Sequence, residues 1–186
     1  TISLGNIKGE LGGIYQEKNT NTILCAVKVL TESGINISRA NIKEGIGHVS
    51  ELTGLQGRWQ KIMDAPKVVC DTGHNVGGWE YISKQLNMQQ CRKMRIVFGM
   101  VDDKDIQTVM SLLPQKAIYY FTHANTKRAI DENKIKEISE SLNLEATCYP
   151  DVATAYNKAL AEADKDDFIF VGGSSYIVAD FLNDCL

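Results

Sequence analysis

The order of elements predicts an α/β protein: a Rossmann-like, mostly parallel sheet with helices on both faces, preceded by a helical segment. Three observations carry this expectation. From Arg58 onward, short β-branched and aromatic runs alternate with single helical stretches, which is the pattern of βαβ units. Two of the runs, Ile96-Val97-Phe98 and Phe168-Ile169-Phe170-Val171, are apolar throughout, as suits central strands covered by helices on both faces. Right-handed crossovers between such strands give a doubly wound domain.

Taken in order, Thr1–Leu4 reads as a strand and Gly9 through Gly13 as a turn. Because the chain opens on Thr rather than Met, a fragment of a longer protein is expected. Residues 14 to 33 carry Ile23, Leu24, Val27 and Leu30 at helical spacing, with Gly34 as the C-cap. A second helix starts at Ser38, a good N-cap, and runs to about His48. Residues 49 to 57 are polar and Gly-containing, so they read as a linker and hold the domain boundary. The expected strands are Trp59–Met63, Lys67–Cys70, Arg95–Phe98, Ile118–Thr122, Ala146–Tyr149 and Phe168–Val171. Helices are expected near 76–88, 104–113, 131–142, 151–163 and 175–184. No internal repeat and no low-complexity segment interrupts this series.

Composition narrows the function classes. The 186 residues are 44% hydrophobic and 23% charged, ordinary values for a globular chain. A net charge of −3 argues against a nucleic-acid partner, which calls for a basic face. No apolar run is long enough to span a bilayer, so no membrane partner is expected. Cys25, Cys70, Cys91, Cys148 and Cys185 are widely spaced and form no CxxC pair, so zinc and redox motifs are absent. Such an odd, scattered set suits a reducing cytoplasm.

The chemistry-bearing residues sit at strand ends. Lys67–Cys70 runs directly into Asp71-Thr72-Gly73-His74-Asn75. The carboxyl edge of an open α/β sheet is where ligands bind. Asp71 can accept hydrogen bonds from a ribose or an amine, and His74 can donate to a phosphate or an adenine nitrogen. The plainer alternative is that Asp71 and Asn75 cap the next helix. After Arg95–Phe98 come Gly99, Asp102, Asp103, Lys104 and Asp105, a charged loop that lines a cleft or merely caps a helix. After Ile118–Thr122 come His123, Asn125, Lys127 and Arg128, whose guanidinium fork can bind a carboxylate or phosphate. After Phe168–Val171 come Gly172-Gly173-Ser174-Ser175, whose amides at a helix start can hold an anion. Gly57-Arg58-Trp59 places an Arg at the linker, within reach of a nucleotide phosphate. The polar run Tyr15 to Asn19 opens the first helix and can contact a base or cap that helix.

In this order and at these distances, the motifs resemble the C-terminal part of a folylpolyglutamate synthase/dihydrofolate synthase, in the Mur ligase superfamily. They are Gly-x-Tyr-Gln-x-x-Asn (Gly13 to Asn19), Gly57-Arg58, Asp71-x-x-His74-Asn75, Gly99-Met100 with Asp103-Lys104-Asp105, Arg128-Ala129, and Gly173-Ser174. The chain departs from the family pattern at Tyr15, where His is usual, at Thr20, where Ala is usual, and at Thr72-Gly73, where Gly-Ala is usual.

The resemblance implies that residues 1–56 end a central ATPase domain and residues 57–186 form the Rossmann-like C-terminal domain. It implies ATP and Mg2+ as cofactors, with the phosphate loop and metal ligands upstream and no metal site in this chain. L-glutamate and folate or dihydropteroate are the implied substrates, joined through an acyl phosphate. Asn19, Arg58, Asp71 and His74 are the implied nucleotide contacts. His74, Ser174 and Lys104 are the implied catalytic groups, and Asp103, Asp105, Arg128 and Ser174 the implied substrate contacts. The domain would pack against the upstream part of its own parent, and the chain alone would be inactive. A Mur-type ligase for another amino acid and a non-catalytic nucleotide-binding module are the alternatives. The Asp-Asn-Pro-Arg segment typical of peptidoglycan ligases is missing.

Overall fold

The computed structural model describes residues 7–101, 105–130 and 132–186. The expected Thr1–Leu4 strand lies outside them. The chain divides into two compact units, one ending at Arg58 and one beginning at Trp59.

The first unit is helical. α1 (Gln16–Glu32) ends in a Schellman arrangement, in which the Gly34 and Ile35 amides donate to the Thr31 and Leu30 carbonyls. The C-cap is therefore Ser33, and Gly34 follows it with φ 95°, a left-handed position that glycine takes without a Cβ penalty. α2 (Arg39–Gly47) opens on a capping box in which Ser38 and Asn41 satisfy each other's backbone amides. The expected linker is partly helical: α3 (Val49–Thr53) follows a break in helical geometry at His48 and stops at Gly54, φ 70°. Periodicity cannot find a five-residue helix, because it spans little more than one turn. The apolar stripe of α1 stays accessible. Ile23 is 48% and Leu30 42% exposed, and Ile42 is the one buried hydrophobic among the described residues of this unit.

The second unit is a six-stranded sheet of order β1-β2-β6-β3-β4-β5. Its strands are β1 (Gln60–Asp64), β2 (Lys67–Asp71), β3 (Met94–Phe98), β4 (Ala117–Phe121), β5 (Glu145–Cys148) and β6 (Phe168–Gly172). All six expected strands are present, with ends shifted by a single residue. Only β1 is antiparallel, and Trp59, expected as its first residue, lies outside it with φ 48°.

The helices are α4 (Val76–Asn87), α5 (Ile106–Ser111), α6 (Glu132–Ser141), α7 (Val152–Ala161) and α8 (Ser175–Asp184). The crossovers through α4, α5 and α6 advance along the sheet from β2 to β5. The crossover through α7 returns and inserts β6 between β2 and β3. Right-handed connections running in opposite directions must lie on opposite faces. The packing follows: α4, α5 and α6 cover Val69, Ile96, Phe98, Tyr119 and Phe170. On the other face α7 and α8 cover Val68, Val97, Tyr120, Ile169 and Val171. Consecutive strand residues thus alternate between two cores. That is why Phe168–Val171 reads as apolar throughout.

Candidate functional site

The topology sets β6 apart from both its neighbours, β2 and β3, which are followed by helices on the face opposite α8. β2 is followed by α4 on one face, whereas its neighbour β6 is followed by α8 on the other. The loops leaving these two strands therefore diverge, the arrangement at which ligands bind in open α/β sheets. Register sets the row: Asp71 pairs with Gly172, Gly172 with Phe98, and Phe98 with Phe121. The Thr72–His74 turn and the Gly173–Ser174 turn thus start side by side.

Close approach at this edge demands glycine. A Cβ on Gly99 would collide with the Thr122 carbonyl oxygen, and one on Gly173 with the Gly99 carbonyl oxygen. Gly173 also has φ 108°, which L side chains rarely adopt.

Asp71 is only 1% exposed. One carboxylate oxygen accepts from the Trp59 amide at 2.8 Å and the other from the Gly73 amide at 2.8 Å. It does not cap α4. That task falls to Asn75, which accepts from the Gly78 amide at 2.9 Å. His74 is half-buried, with Nδ1 3.1 Å from the Thr72 carbonyl oxygen. A proton on Nδ1 satisfies that carbonyl and leaves Nε2 as the atom able to accept, or when protonated to donate. The Trp79 indole N–H donates to the Gly73 carbonyl at 3.1 Å, so the turn is held from both sides.

Ser174 is 2% exposed and caps α8, its Oγ accepting from the Ile177 amide at 3.2 Å. Asp105 caps α5 through the Thr108 amide and hydroxyl, and these hydrogen bonds hold its carboxyl below the usual range. Asp103 and Lys104 lie outside the described residues. Arg128 is exposed on the loop after β4. The Val101–Ala129 bridge and the Ile130 amide, which donates to the Met100 carbonyl at 3.2 Å, tie that loop to the end of β3. Asn19 is exposed in the first turns of α1, its amide donating to Gln16 at 2.9 Å. It and Arg58 belong to the first unit.

Sequence reasoning missed three features. A cleft of about 770 Å³ opens beyond β4 and β5, lined by His123, Asn125 and Lys127 together with Asp151 and Asp180. The first three were legible at a strand end, but the two acids come from helices that only the fold brings there. The Asp71–Trp59 contact spans twelve residues and has no local signal. At the opposite edge, buried Arg95 donates to Asp167, to the Tyr120 hydroxyl and to the Glu162 carbonyl. Among the described residues, no group of three or more His, Cys, Asp or Glu stands together so as to hold a metal ion. No helix among them is long and apolar enough to cross a membrane.

The strand order and the helices on both faces define a doubly wound α/β domain. Residues 57–175 match the family model described as Mur ligase, glutamate ligase domain, and the chain belongs to that family. It is 28% identical over 166 residues to the dihydrofolate synthase/folylpolyglutamate synthase of Buchnera aphidicola subsp. Schizaphis graminum, covering 88% of this chain and 38% of that protein. The ligand-free bifunctional folylpolyglutamate synthase/dihydrofolate synthase of Yersinia pestis superposes with TM-score 0.71 at 30% identity, covering 84% of this chain and 37% of that one. A bifunctional folylpolyglutamate synthase/dihydrofolate synthase with Mn, AMPPNP and L-glutamate bound gives TM-score 0.71 at 28% identity, covering 87% and 38%. The chain thus spans well under half the length of the proteins it matches.

Proposed function

We propose that this chain is the C-terminal part of an ATP-dependent ligase that adds L-glutamate to folates, to dihydropteroate, or to both, in the cytoplasm. In the proposed reaction a substrate carboxylate attacks the γ-phosphorus of ATP, ADP leaves, and an acyl phosphate forms. The glutamate amine then attacks the acyl carbon and phosphate leaves, so the net products are an amide, ADP and phosphate. ATP and Mg2+ bind mainly to an upstream ATPase domain that supplies the phosphate loop and the metal ligands. Residues 1–56 belong to that domain, and residues 57–186 form the Rossmann-like C-terminal domain.

The observation that carries this reading is the neighbouring ends of β2 and β6, which lead into the His74 turn and the capped start of α8, in a family of glutamate ligase domains. Within this reading Asn19, Arg58, Asp71 and His74 serve the nucleotide. His74, Ser174 and Lys104 stand at the reacting centre, and Asp103, Asp105, Arg128 and Ser174 serve the amino-acid side. Their contribution is positioning and electrostatic stabilisation of the transferring phosphoryl group. The exposed Val29, Leu30, Leu52 and Leu55 support packing of the first unit against the rest of its parent, since monomers rarely leave large apolar patches uncovered.

The test uses the full-length parent beside its His74→Ala variant. ADP release is followed with dihydropteroate or tetrahydrofolate, with and without glutamate. Glutamate-dependent release that falls at least about 100-fold in the variant is expected, the scale of losing one group that acts in the transition state. Release that is unaffected by His74→Ala removes His74 from the site. No release with either acceptor shifts the reading to another Mur-type substrate or to a non-catalytic module.

A further inference from the structure

The segment that follows β4 is anchored differently at its two ends. At its exit, Ala129 bridges Val101 and the Ile130 amide donates to the Met100 carbonyl at 3.2 Å, so backbone ties it to the end of β3. At its entrance the anchor is a side chain: the Asn125 amide donates to the Asp180 carboxylate of α8 at 2.8 Å. Between the anchors the chain turns tightly. The Thr126 amide donates to the Ala124 carbonyl at 2.7 Å and the Ala129 amide to the Thr126 carbonyl at 3.1 Å. Lys127 and Arg128, both exposed, are the central residues of that second turn. Asp180 stands on a rigid support. α8 buries Ile177, Val178 and Phe181, and Phe181 meets the Tyr156 ring of α7 edge-on at 4.7 Å. Capping α8 is the task of Ser174; Asp180 lies beyond the first turn, where the helix amides already have partners. Asp184 lines the same cleft from the i+4 position of the same helix face, so its like charge works against a carboxylate at Asp180. Asp151, also in the cleft, is spent on capping α7 through the Thr154 amide and hydroxyl. Among the described residues, the Asn125 amide is the one hydrogen-bond partner of the Asp180 side chain. That charge-assisted bond offsets the repulsion and is stronger than a neutral one.

We propose that Asp180 is a positioning residue for the incoming amino acid: its carboxylate pins the segment after β4 against α8, so that Arg128 is presented in register with the start of that helix, and it does not itself touch the ligand. This rests on the reading of Arg128 as a contact on the amino-acid side. Once the Asn125 amide is released, the exit anchor alone cannot fix the turn that carries Arg128. The guanidinium then has to be ordered when the amino acid binds, and that ordering weakens binding. Asn in place of Asp180 still offers an oxygen to the Asn125 amide, whereas Ala removes the acceptor.

The experiment measures initial rates of ADP release by the full-length parent with L-glutamate or ATP varied and the acceptor saturating. The variants are Asp180→Ala, Asp180→Asn, Arg128→Ala and the double Asp180→Ala/Arg128→Ala. Asp180→Ala is expected to raise the KM for glutamate roughly 5- to 10-fold, the scale of one charge-assisted bond on a half-exposed group. Its kcat and its KM for ATP should change less than about 2-fold, because the lost interaction serves amino-acid binding. Asp180→Asn should recover part of the loss. In the Arg128→Ala background, Asp180→Ala should add less than about 2-fold, since a residue that acts through another has nothing left to position. Amide exchange at Asn125 should accelerate in Asp180→Ala. The same fold-loss in both backgrounds, or an Asp180→Asn variant as impaired as Asp180→Ala, would mean that the charge itself meets the amino acid and would overturn the proposal. An unchanged glutamate KM in Asp180→Ala with faster exchange at Asn125 would reduce Asp180 to a structural residue. An unchanged glutamate KM in Arg128→Ala would instead overturn the underlying reading of Arg128. Should Asp180→Ala fail to fold, Asp180→Asn carries the same comparison in both backgrounds.

Discussion

Replacing Arg95 by methionine should remove one of the strongest constraints on the sheet. Arg95 is 3% exposed and reaches three acceptors: the Asp167 carboxylate at 3.3 Å, the Tyr120 hydroxyl at 2.6 Å and the Glu162 carbonyl at 2.5 Å. Methionine keeps the apolar stem and deletes the charged head, so the loss reports the head alone. Breaking a buried pair by removing one partner costs about 3–5 kcal/mol, mostly because the other charge is left uncompensated. Here Asp167 would keep Arg92 Nε at 3.2 Å and the Asp164 amide at 3.1 Å, which points to the lower end, about 3 kcal/mol. With an m-value of about 1–3 kcal/mol/M for a domain of this size, the urea midpoint should fall by about 1–3 M. The assay is urea unfolding followed by far-UV circular dichroism on wild type, Arg95→Met, Asp167→Leu and the double variant. The double should be more stable than the sum of the single losses predicts, because it leaves no orphaned charge. A loss below about 1 kcal/mol in Arg95→Met, or strict additivity, would show that the pair is not coupled as the geometry requires.

Three further outcomes follow from the same packing. Burial works to raise the Asp167 carboxyl, but the Asp164 amide, Arg92 and Arg95 hold it low. Glu162 is held low by Lys158 and then Tyr120. Groups with depressed folded values stabilise above their unfolded pKa of about 4 and lose that contribution as pH falls. The urea midpoint should therefore be flat from about pH 8 to 5 and drop below about pH 4, less steeply in Arg95→Met, and a midpoint rising on acidification would refute the assignment. Gly173→Ala should cost about 2–4 kcal/mol, read as a lowered thermal midpoint, because its Cβ meets the Gly99 carbonyl and the Phe98 ring at φ 108°. An unchanged melt would mean that the strand ends are not packed as described. Cys70 is buried, and burial pushes its thiol up to about 12. Ellman's reagent at pH 8 should leave Cys70 unmodified in the native protein while exposed Cys25 reacts, and equal rates for the two would contradict this.

The sheet was legible because its signal is local. Fully apolar runs such as Phe168–Val171 mark strands covered on both faces, and single helices between them mark crossovers. Helix starts were legible where a short polar side chain precedes the first turn: Ser38, Asn75 and Ser174 each accept from a backbone amide in the turn that follows. The position of β6 between β2 and β3 was not, because strand order depends on which faces the helices choose. The Asp71–Trp59 contact was not legible for the same reason. From sequence Asp71 is an acid on a turn; in the fold its partner is an amide twelve positions earlier. Trp59 was read as a strand residue because aromatic residues favour strands, and its left-handed backbone is fixed by Asp71 and by two rings on β6. The helix α1 was legible from apolar residues at helical spacing, yet that spacing does not say what covers them.

The two edges of the sheet divide the work. At the amino end of the strands, Arg95, Asp167, Tyr120 and Glu162 join β3, β4, the approach to β6 and the end of α7, elements distant in sequence. At the carboxyl end the strands meet closely through their backbones: Gly99 and Gly173 admit a neighbouring carbonyl where a Cβ would not fit. A side-chain network at that edge would crowd the loops, whereas glycine contacts close the strand ends and leave the loops free to diverge. Asp71 is a charged side chain buried at the carboxyl edge. Its oxygens accept from the Trp59 and Gly73 amides. Substitutions at the amino edge should therefore lower stability and leave nucleotide affinity unchanged, while Asp71→Asn should lower affinity out of proportion to stability. Urea midpoints and ADP titrations on one panel of full-length variants measure both axes. Proportional losses on both axes at both edges would refute the division.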